Sequence, residues 1–437
     1  MPGPLRSIDS IRVQDSGSEA SLAGWVEDVR NLGGIAFLIV RQRSGTFQVT
    51  VKKKADEDLF NRASKIVRES VVAARGTVQA NPQVRNGWEL LAASLDVLSL
   101  AAAPLPLPVA DKVGAEIDTR FDNRVLDLRK TERRAIFVIR HVVLSAVREY
   151  LAGHGFLEVQ TPKLAGAGAE GGATLFETDY FGRRAFLSQS PQLYKQMLMA
   201  TGLDRVYEIA PAFRAEPSDT VRHVTEFTSF DGEVAWIDRQ EDFFPLLEGA
   251  VDHAIDRVRV ESKAELDALG VDPKRPRLPL KRLRYPDALE ILHGRGKRLR
   301  AGDDIDTESE KILGQAMADE GHEFYFLTEY PAGIKPFYVM SKADDPEASY
   351  SFDLEYKGDE MASGGQREHR YEVLLAKMRS KGLNPENFEF YLKAFRYGMP
   401  PHGGWGFGID RFVQRLLDLP NIREAILFPR DRVRLVP

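Results

Sequence analysis

Cysteine is absent from this chain of 437 residues. That excludes a disulfide framework, a Cys-ligated zinc site and a thiol nucleophile, and it fits a reducing compartment. Histidine is scarce. The 8 present show no HExxH and no paired spacing, so a zinc site is not expected. No apolar run reaches the roughly 18–20 residues of a membrane span. The opening "MPGPLRSIDSIRVQD" carries no apolar stretch of the secretory kind. The expectation is a cytoplasmic protein. Excess charge is also small, at −5 overall. Up to residue 107, thirteen Lys and Arg stand against eleven Asp and Glu, so that part is slightly basic and the remainder acidic. The shift permits a nucleic-acid contact near the N-terminus without demanding one.

What is present reads as a globular chain longer than one core needs, with 43% hydrophobic and 29% charged residues. Residues 21–100 carry "SLAGWVEDV", "IAFLIVRQR", "GTFQVTVKK", "VVAARGTVQA" and "WELLAASLDVLSL", rich in β-branched and aromatic residues and separated by Gly-containing turns. A helical piece, "DEDLFNRASKIVRES", follows the third. Five strands with a helix after the third is the OB-fold pattern, with a generic small barrel as its rival. The "KKK" at 52–54 reads as a solvated turn or as an RNA-phosphate contact. The Pro-rich "AAAPLPLPVA" closes this domain, giving a first domain over 1–107 and a hinge over 108–130. From Thr131 to Leu151, Ile136, Ile139, Val143, Val147 and Leu151 fall on one helical face. Beyond lie "FLEVQTPKL" (a strand ended by Pro162), a Gly-rich loop, a strand at "RAFLSQSP", a helix at "QLYKQMLMATG", and then alternating helices and strands to residue 437.

Three stretches hold groups suited to chemistry. The first is "FRAEPSDTVRHVTEF" (213–227), between two alternating strand-like segments. Arginine is planar, always charged and able to grip phosphate with two parallel bonds. Arg214 and Arg222, with His223, would return to one region, where Glu216 could accept from an amine and Phe227 offer a flat surface to a base. The bland alternative is a solvated charged loop. The second stretch is "GGWGFGIDRFVQRLLDL" (403–419), where glycines lead into a helix with Arg411 in its first turn; such backbone approaches anions closely but is often only a turn. The third is "SFDLEYKGDEMASGGQREHRYE" (351–372). It places Glu360 near Ser363, a carboxylate–hydroxyl pair of the kind that holds magnesium beside phosphate, followed by Arg367. A salt-bridged β-turn is the alternative.

Together these stretches resemble the motifs of class II aminoacyl-tRNA synthetases: the strand ending in Pro162, "FRAE…RH" and "GWGFGIDR" stand in that order. "TPKLAGAGAEGGATLF", "SQSPQLYKQ", "SGGQREHRYE" and "FRYGMPPHGGWGFGIDR" are similar to the archaeal/eukaryotic-type aspartyl branch of the aspartyl, asparaginyl and lysyl subclass. The likeness runs from about residue 20 to the C-terminus. It implies an OB-fold anticodon-binding domain and an α+β catalytic domain over 131–437, built on an antiparallel sheet flanked by helices. The implied reaction joins aspartate to Mg-ATP and passes the aspartyl group to the terminal adenosine of tRNA(Asp), with tRNA(Asn) as a second candidate acceptor.

The resemblance also assigns residues. Arg214 and Arg411 are the catalytic cations. Glu170, Gln192, Lys195, Arg214, Asp231, Ser363 and Arg367 form the aspartate site, where Lys195 and Arg367 read the side-chain carboxylate and Glu170 lies on a mobile loop. ATP is held by Arg214, Glu216, Arg222, His223, Val224, Phe227, Glu360, Gly408, Ile409, Asp410 and Arg411. Magnesium falls to Glu360 and Ser363. Arg30, Phe37, Gln48 and Arg85 contact the anticodon, with core packing as the rival role for Phe37. Glu27 and Arg85 fall where the family tunes the third anticodon base, and a basic Arg85 leans toward tRNA(Asp) alone. The helix 131–151 and the strand ending at Pro162 imply a homodimer. One departure stands out. The turn reads "EPSDTVRH" where relatives usually read "EEHNTTRH", and it falls on the contact to the tRNA acceptor end. An asparaginyl enzyme is disfavoured by Lys195. A non-catalytic paralogue is disfavoured by the presence of Arg214, Arg411, Glu360 and Ser363.

Overall fold

The computed structural model describes residues 5, 7–109, 114–166, 174–216 and 220–437. They fall into two compact units, 1–115 and 116–437.

The first unit is a closed five-stranded barrel of β1 (Glu19–Leu32), β2 (Ile35–Gln42), β3 (Gly45–Lys52), β4 (Val71–Ala80) and β5 (Trp88–Ser99), in the order β1-β2-β3-β5-β4. Helix α1 (Glu57–Ala63) follows β3, as expected, and Asp56 caps it by accepting from Leu59 N. The alternation of β2 sorts its side chains: Ala36, Leu38 and Val40 are fully buried in the barrel core, while Ile35, Phe37 and Ile39 face outward. Core packing is therefore not the role of Phe37. A β-bulge interrupts the β1–β2 ladder between Val26 and Asp28, with Glu27 as the extra residue.

The second unit begins earlier than the sequence suggests. The hinge expected over 108–130 gives way to two short helices, α2 (Ile117–Asp122) and α3 (Arg124–Asp127). Their arginines are buried. Arg120 donates to Asp127 and Glu424, and Arg124 donates to Asp127 and to the carbonyls of Ile426 and Leu427. The segment looked irregular because its order comes from ion pairs to the far end of the chain, which leave no periodicity. The expected helix follows as α4 (Thr131–Gly153), with Ile136, Ile139, Val143, Val147 and Leu151 all buried.

After α4 come β6 (Leu157–Glu158), β7 (Leu164–Ala165), β8 (Glu177–Tyr180), β9 (Arg183–Leu187), α5 (Gln192–Met199), β10 (Arg205–Phe213) and β11 (Glu226–Ala235). Then follow α6 (Phe244–Glu261), α7 (Lys263–Leu269), β12 (Lys281–Arg284), α8 (Tyr285–Gly294), α9 (Thr307–Asp319), β13 (Phe324–Thr328), β14 (Ser351–Tyr356) and β15 (Asp359–Gln366). Helices α10 (Tyr371–Ser380) and α11 (Glu389–Arg396), strand β16 (His402–Gly408) and helix α12 (Ile409–Leu416) complete the unit.

Eight strands form one sheet in the order β12-β13-β14-β15-β16-β11-β10-β6. Its middle is antiparallel, as expected, but a parallel pair closes each edge, so the sheet is mixed. The expected strand ending at Pro162 shrinks to β6. Beyond Val159 the chain stays close to β10 through a side chain instead: Thr161 N and Oγ1 and Lys163 Nζ all donate to Glu208. The glycines of 403–408, read from sequence as a run leading into a helix with a mere turn as the alternative, lie in the central strand β16 between β11 and β15. A Cβ on Gly404 would sit 2.1 Å from the Gly232 carbonyl, and one on Gly364 would sit 2.3 Å from the Gly404 carbonyl. Close approach of three strands over the buried Trp405, not a turn, is what these glycines serve.

Candidate active site

A cleft of about 440 Å³ opens on the middle of this sheet. Strands β11, β15 and β16 form its floor, and the start of α5, residues on either side of the turn after β10, the 335–339 segment and the first turn of α12 form its walls. Arg214, Glu216, Arg222, His223, Val224 and Phe227 all line it. The two shoulders of the β10–β11 hairpin thus do face one space. Pairing sets this up: Phe213 lies opposite Glu226, and Arg214 N donates to Thr225 O, so the ladder carries Arg214 to the rim beside Phe227.

One end of the cleft is built from charge pairs. Arg367 is 2% exposed and donates to both oxygens of Glu233 at 3.0 and 3.3 Å, and to Gln192 Oε1 at 3.4 Å. Lys195, also 2% exposed, donates to Asp231 at 3.0 Å and to the Trp405 carbonyl at 2.7 Å, and lies 3.4 Å from Glu233. Burial pushes the Glu233 carboxyl up, but Arg367 and Lys195 outweigh it and hold it below the ordinary carboxylate value. Gln192, Asp231 and Arg367 line the cleft. Lys195 does not; it sits behind Asp231, so it acts on the cleft's field and on Asp231 rather than as a wall. Glu170 lies outside the described residues.

The other end carries Arg222, His223, Lys335 and Arg411. Arg411 stands in the first turn of α12, where the helix dipole disfavours a cation, and it donates to the Glu360 carbonyl at 2.7 Å. Arg222 pairs with Glu310 at 2.7 Å and with Asp359. His223 accepts or donates at Thr220 Oγ1, 2.6 Å away. Burial pushes its imidazole down, and Arg411 adds to the effect. Among the described residues no carboxylate pairs with Arg214; its guanidinium lies over the Phe227 ring.

Between the two ends lies surplus negative charge. The β14–β15 ladder slips by one residue, from Leu354↔Ala362 to Glu355↔Glu360, leaving Met361 extra. On a regular strand, positions three apart face opposite sides; the bulge brings Glu360 and Ser363 to the same cleft. Burial pushes the Glu360 carboxyl up, and Asp353 adds to this; Glu355 is pushed well up by burial and by Glu310. Glu355 Oε2 has no hydrogen-bond partner among the described residues.

Two expected contacts differ. Ile409 is fully buried in the main core and does not reach the cleft. It alternates away from the flanking Gly408 and Asp410, which do line it. The Asp410 carboxylate is engaged by Arg140 and by Thr228 N at 2.7 Å, so it braces β11 against α12. The sequence reading also missed two groups. Lys335 lines the cleft, 3.1 Å from Asp353 and over the Tyr330 ring. Glu233 ties the two buried cations together. Glu233 was legible as the inward partner of Asp231 two residues away on β11; nothing in the local sequence marks Lys335.

In the barrel, Arg30 pairs across the ladder with Phe37, Phe37 with Thr50, and Ile39 with Gln48. Arg30, Phe37 and Gln48 therefore share one outer face. Gln48 Nε2 donates to Glu89 at 2.7 Å, and Arg30 Nε to Asp28 at 2.8 Å. Arg85 is exposed in the turn between β4 and β5.

Residues 116–432 match the family described as tRNA synthetases class II (D, K and N), and residues 20–98 match the OB-fold nucleic acid binding domain. The aspartate–tRNA(Asp) ligase of Thermococcus kodakarensis is 52% identical over 424 residues, 97% of each chain. The aspartate–tRNA(Asp/Asn) ligase of Methanosarcina acetivorans is 48% identical, covering 97% of this chain and 96% of that protein. Among solved structures, asparaginyl-tRNA synthetase from Pyrococcus horikoshii complexed with asparaginyl-adenylate superposes with a TM-score of 0.93 at 33% identity, over 100% of both chains. Aspartyl tRNA synthetase from Entamoeba histolytica gives 0.89 at 31% identity, over 99% of this chain and 93% of that one.

Proposed function

The chain belongs to the class II tRNA synthetases of the aspartyl, lysyl and asparaginyl group, and we infer that it is an aspartate–tRNA ligase. It condenses aspartate with ATP to aspartyl-adenylate and pyrophosphate, then transfers the aspartyl group to the terminal adenosine of tRNA(Asp). The observation that carries this reading is the polarity of one cleft. Arg367, Gln192 and Asp231 stand at one end, Arg222, His223 and Arg411 at the other, and Arg214 lies on the rim beside Phe227.

Activation is an attack by a carboxylate on the α-phosphate. Both partners are anions, so the protein must supply positive charge and alignment. Arg214, with which no carboxylate pairs among the described residues, is placed to bridge the two. Phe227 offers its ring to adenine and Glu216 an acceptor for the adenine amino group. Arg222, His223, Lys335 and Arg411 hold the phosphates, with Val224 and Gly408 shaping the wall. The low proton affinity of His223 keeps its ring neutral at neutral pH, so it directs phosphate by hydrogen bonding rather than by charge. At the amino-acid end, Arg367 takes the side-chain carboxylate, while Lys195 strengthens the positive field from behind. Asp231 and Gln192 accept from the α-ammonium group. Glu170 remains a candidate to close over it.

Glu360 and Ser363 fit magnesium. Their shared face, the raised carboxyls and the unpartnered Glu355 oxygen mark a place where a divalent cation relieves repulsion. Among the described residues no group of three or more His, Cys, Asp or Glu side chains could hold a metal ion. That suits a cation bound by one or two carboxylates and completed by phosphate oxygens. When bound, the ion would neutralise phosphate charge.

The outer face of the barrel, with Arg30, Phe37 and Gln48, would read unstacked anticodon bases by stacking and edge contacts, with Arg85 at its rim. A homodimer is expected through α4 and β6, where Leu157 is half exposed. The protein would act in the cytoplasm. No helix is long and apolar enough to cross a membrane among the described residues.

Relatives of both acceptor ranges stand close, so the test is aspartylation of pure tRNA(Asp) and tRNA(Asn) transcripts in parallel. Charging of tRNA(Asp) is required. Charging of tRNA(Asn) as well would assign the wider range. Charging of neither would overturn the reading.

A further inference from the structure

His402 opens β16, is fully buried and does not line the cleft. Its two ring nitrogens nevertheless start a chain of hydrogen bonds that ends there. Nδ1 lies 2.8 Å from the Pro400 carbonyl, which can only accept, so Nδ1 carries a proton. Burial pushes the imidazole down to about 4, against the pull of Glu233, so the ring is neutral at neutral pH and Nε2 presents a lone pair. The Gln196 atom 3.0 Å from Nε2 must then be its amide nitrogen. That turns the Gln196 oxygen toward two donors, Gln192 Nε2 at 3.0 Å and the Tyr391 hydroxyl at 3.2 Å. Gln192 in turn aims its oxygen at Arg367. Each contact in the series sets a donor against an acceptor. Inverting one amide would set donor against donor in a buried place, where mismatches are costly.

We propose that His402 is a positioning residue for amino-acid recognition: its Nε2 lone pair fixes, through Gln196, which end of the Gln192 amide faces Arg367 and the cleft. The cleft then sees an acceptor at Gln192. An acceptor steadies Arg367 and receives a substrate ammonium group; an inverted amide would repel both. The proposal rests on the reading of Gln192 as an aspartate-binding residue.

The test is aspartate-dependent ATP–pyrophosphate exchange on the full chain, with thermal unfolding of each variant. His402→Leu removes the lone pair. The aspartate KM is expected to rise about tenfold, the loss of one charge-assisted hydrogen bond, with the ATP KM nearly unchanged. His402→Gln can place a carbonyl oxygen where Nε2 stands and is expected to recover most of that loss. Gln196→Met breaks the series at its middle while keeping His402, and is expected to repeat the His402→Leu result even if that variant fails to fold. Gln192→Ala separates the two readings. If it leaves the aspartate KM unchanged, the assignment of Gln192 fails. If it raises that KM while folded His402→Leu or Gln196→Met does not, the positioning role is overturned. Equal rises in both KM values, with His402→Gln no better than His402→Leu, would also overturn it.

Discussion

The guanidinium carbon of Arg214 lies 5.3 Å from the centroid of the Phe227 ring. The two residues face each other across the mouth of the hairpin, one from the end of β10 and one from β11. The ring holds the fork in place through a cation–π contact, and no carboxylate among the described residues takes its donors from an anion. Arg214→Lys keeps the charge but loses the fork. Its exchange kcat should fall about 10²–10³-fold, the size of losing a preorganised donor at developing charge. Stability should change by less than about 0.5 kcal/mol, because Arg214 is exposed. Exchange kinetics and urea unfolding check the pair of outcomes.

Glu233 carries the opposite kind of role. It is fully buried and counters both Arg367 and Lys195. Glu233→Gln leaves two buried cations short of charge, and the fold should lose about 3–5 kcal/mol. Aspartate binding should weaken too, since Arg367 loses the carboxylate that aims it. Chemical denaturation and the aspartate KM report the two effects separately.

His402 ties stability to pH. Its imidazole titrates near 4 in the folded protein against an ordinary 6.5. Between those values the unfolded chain takes up a proton that the folded chain refuses. The contribution is fully present above about pH 6.5 and is lost as pH falls toward 4; at full size it is about 3 kcal/mol. Unfolding free energies of wild type and His402→Gln, compared from pH 7 down to about 4, should show a shallower fall for the variant.

Phe37 faces outward from the barrel, so its loss should spare the fold and harm RNA binding. Phe37→Ala should weaken tRNA binding by about 1–3 kcal/mol, the value of one stacked base. Exchange without tRNA should be unchanged. A tRNA titration beside the exchange assay checks both.

Much of this was legible in sequence because short-range rules govern it. The face of α4 followed from spacing alone, and the hairpin arginines followed from two alternating strands around a charged turn. What escaped depended on distant partners. Arg120 and Arg124 looked like a polar hinge because their order comes from Glu424 and from carbonyls some three hundred residues away. The glycines of β16 read as a lead into a helix, or as a turn, because close strand packing and a turn demand the same residue. The shared face of Glu360 and Ser363 needed a bulge that no local pattern announces. Lys195 was expected on the cleft wall; its place behind Asp231 is set by the Trp405 carbonyl, a tertiary contact.

The central claim is that this cleft activates aspartate and rejects its amide. It is tested most directly by ATP–pyrophosphate exchange without tRNA, run with aspartate and with asparagine at equal concentration. The account predicts exchange with aspartate, little with asparagine, and loss of the aspartate signal in Arg367→Leu. Exchange supported by asparagine as well as by aspartate, or aspartate exchange that survives Arg367→Leu, would contradict it.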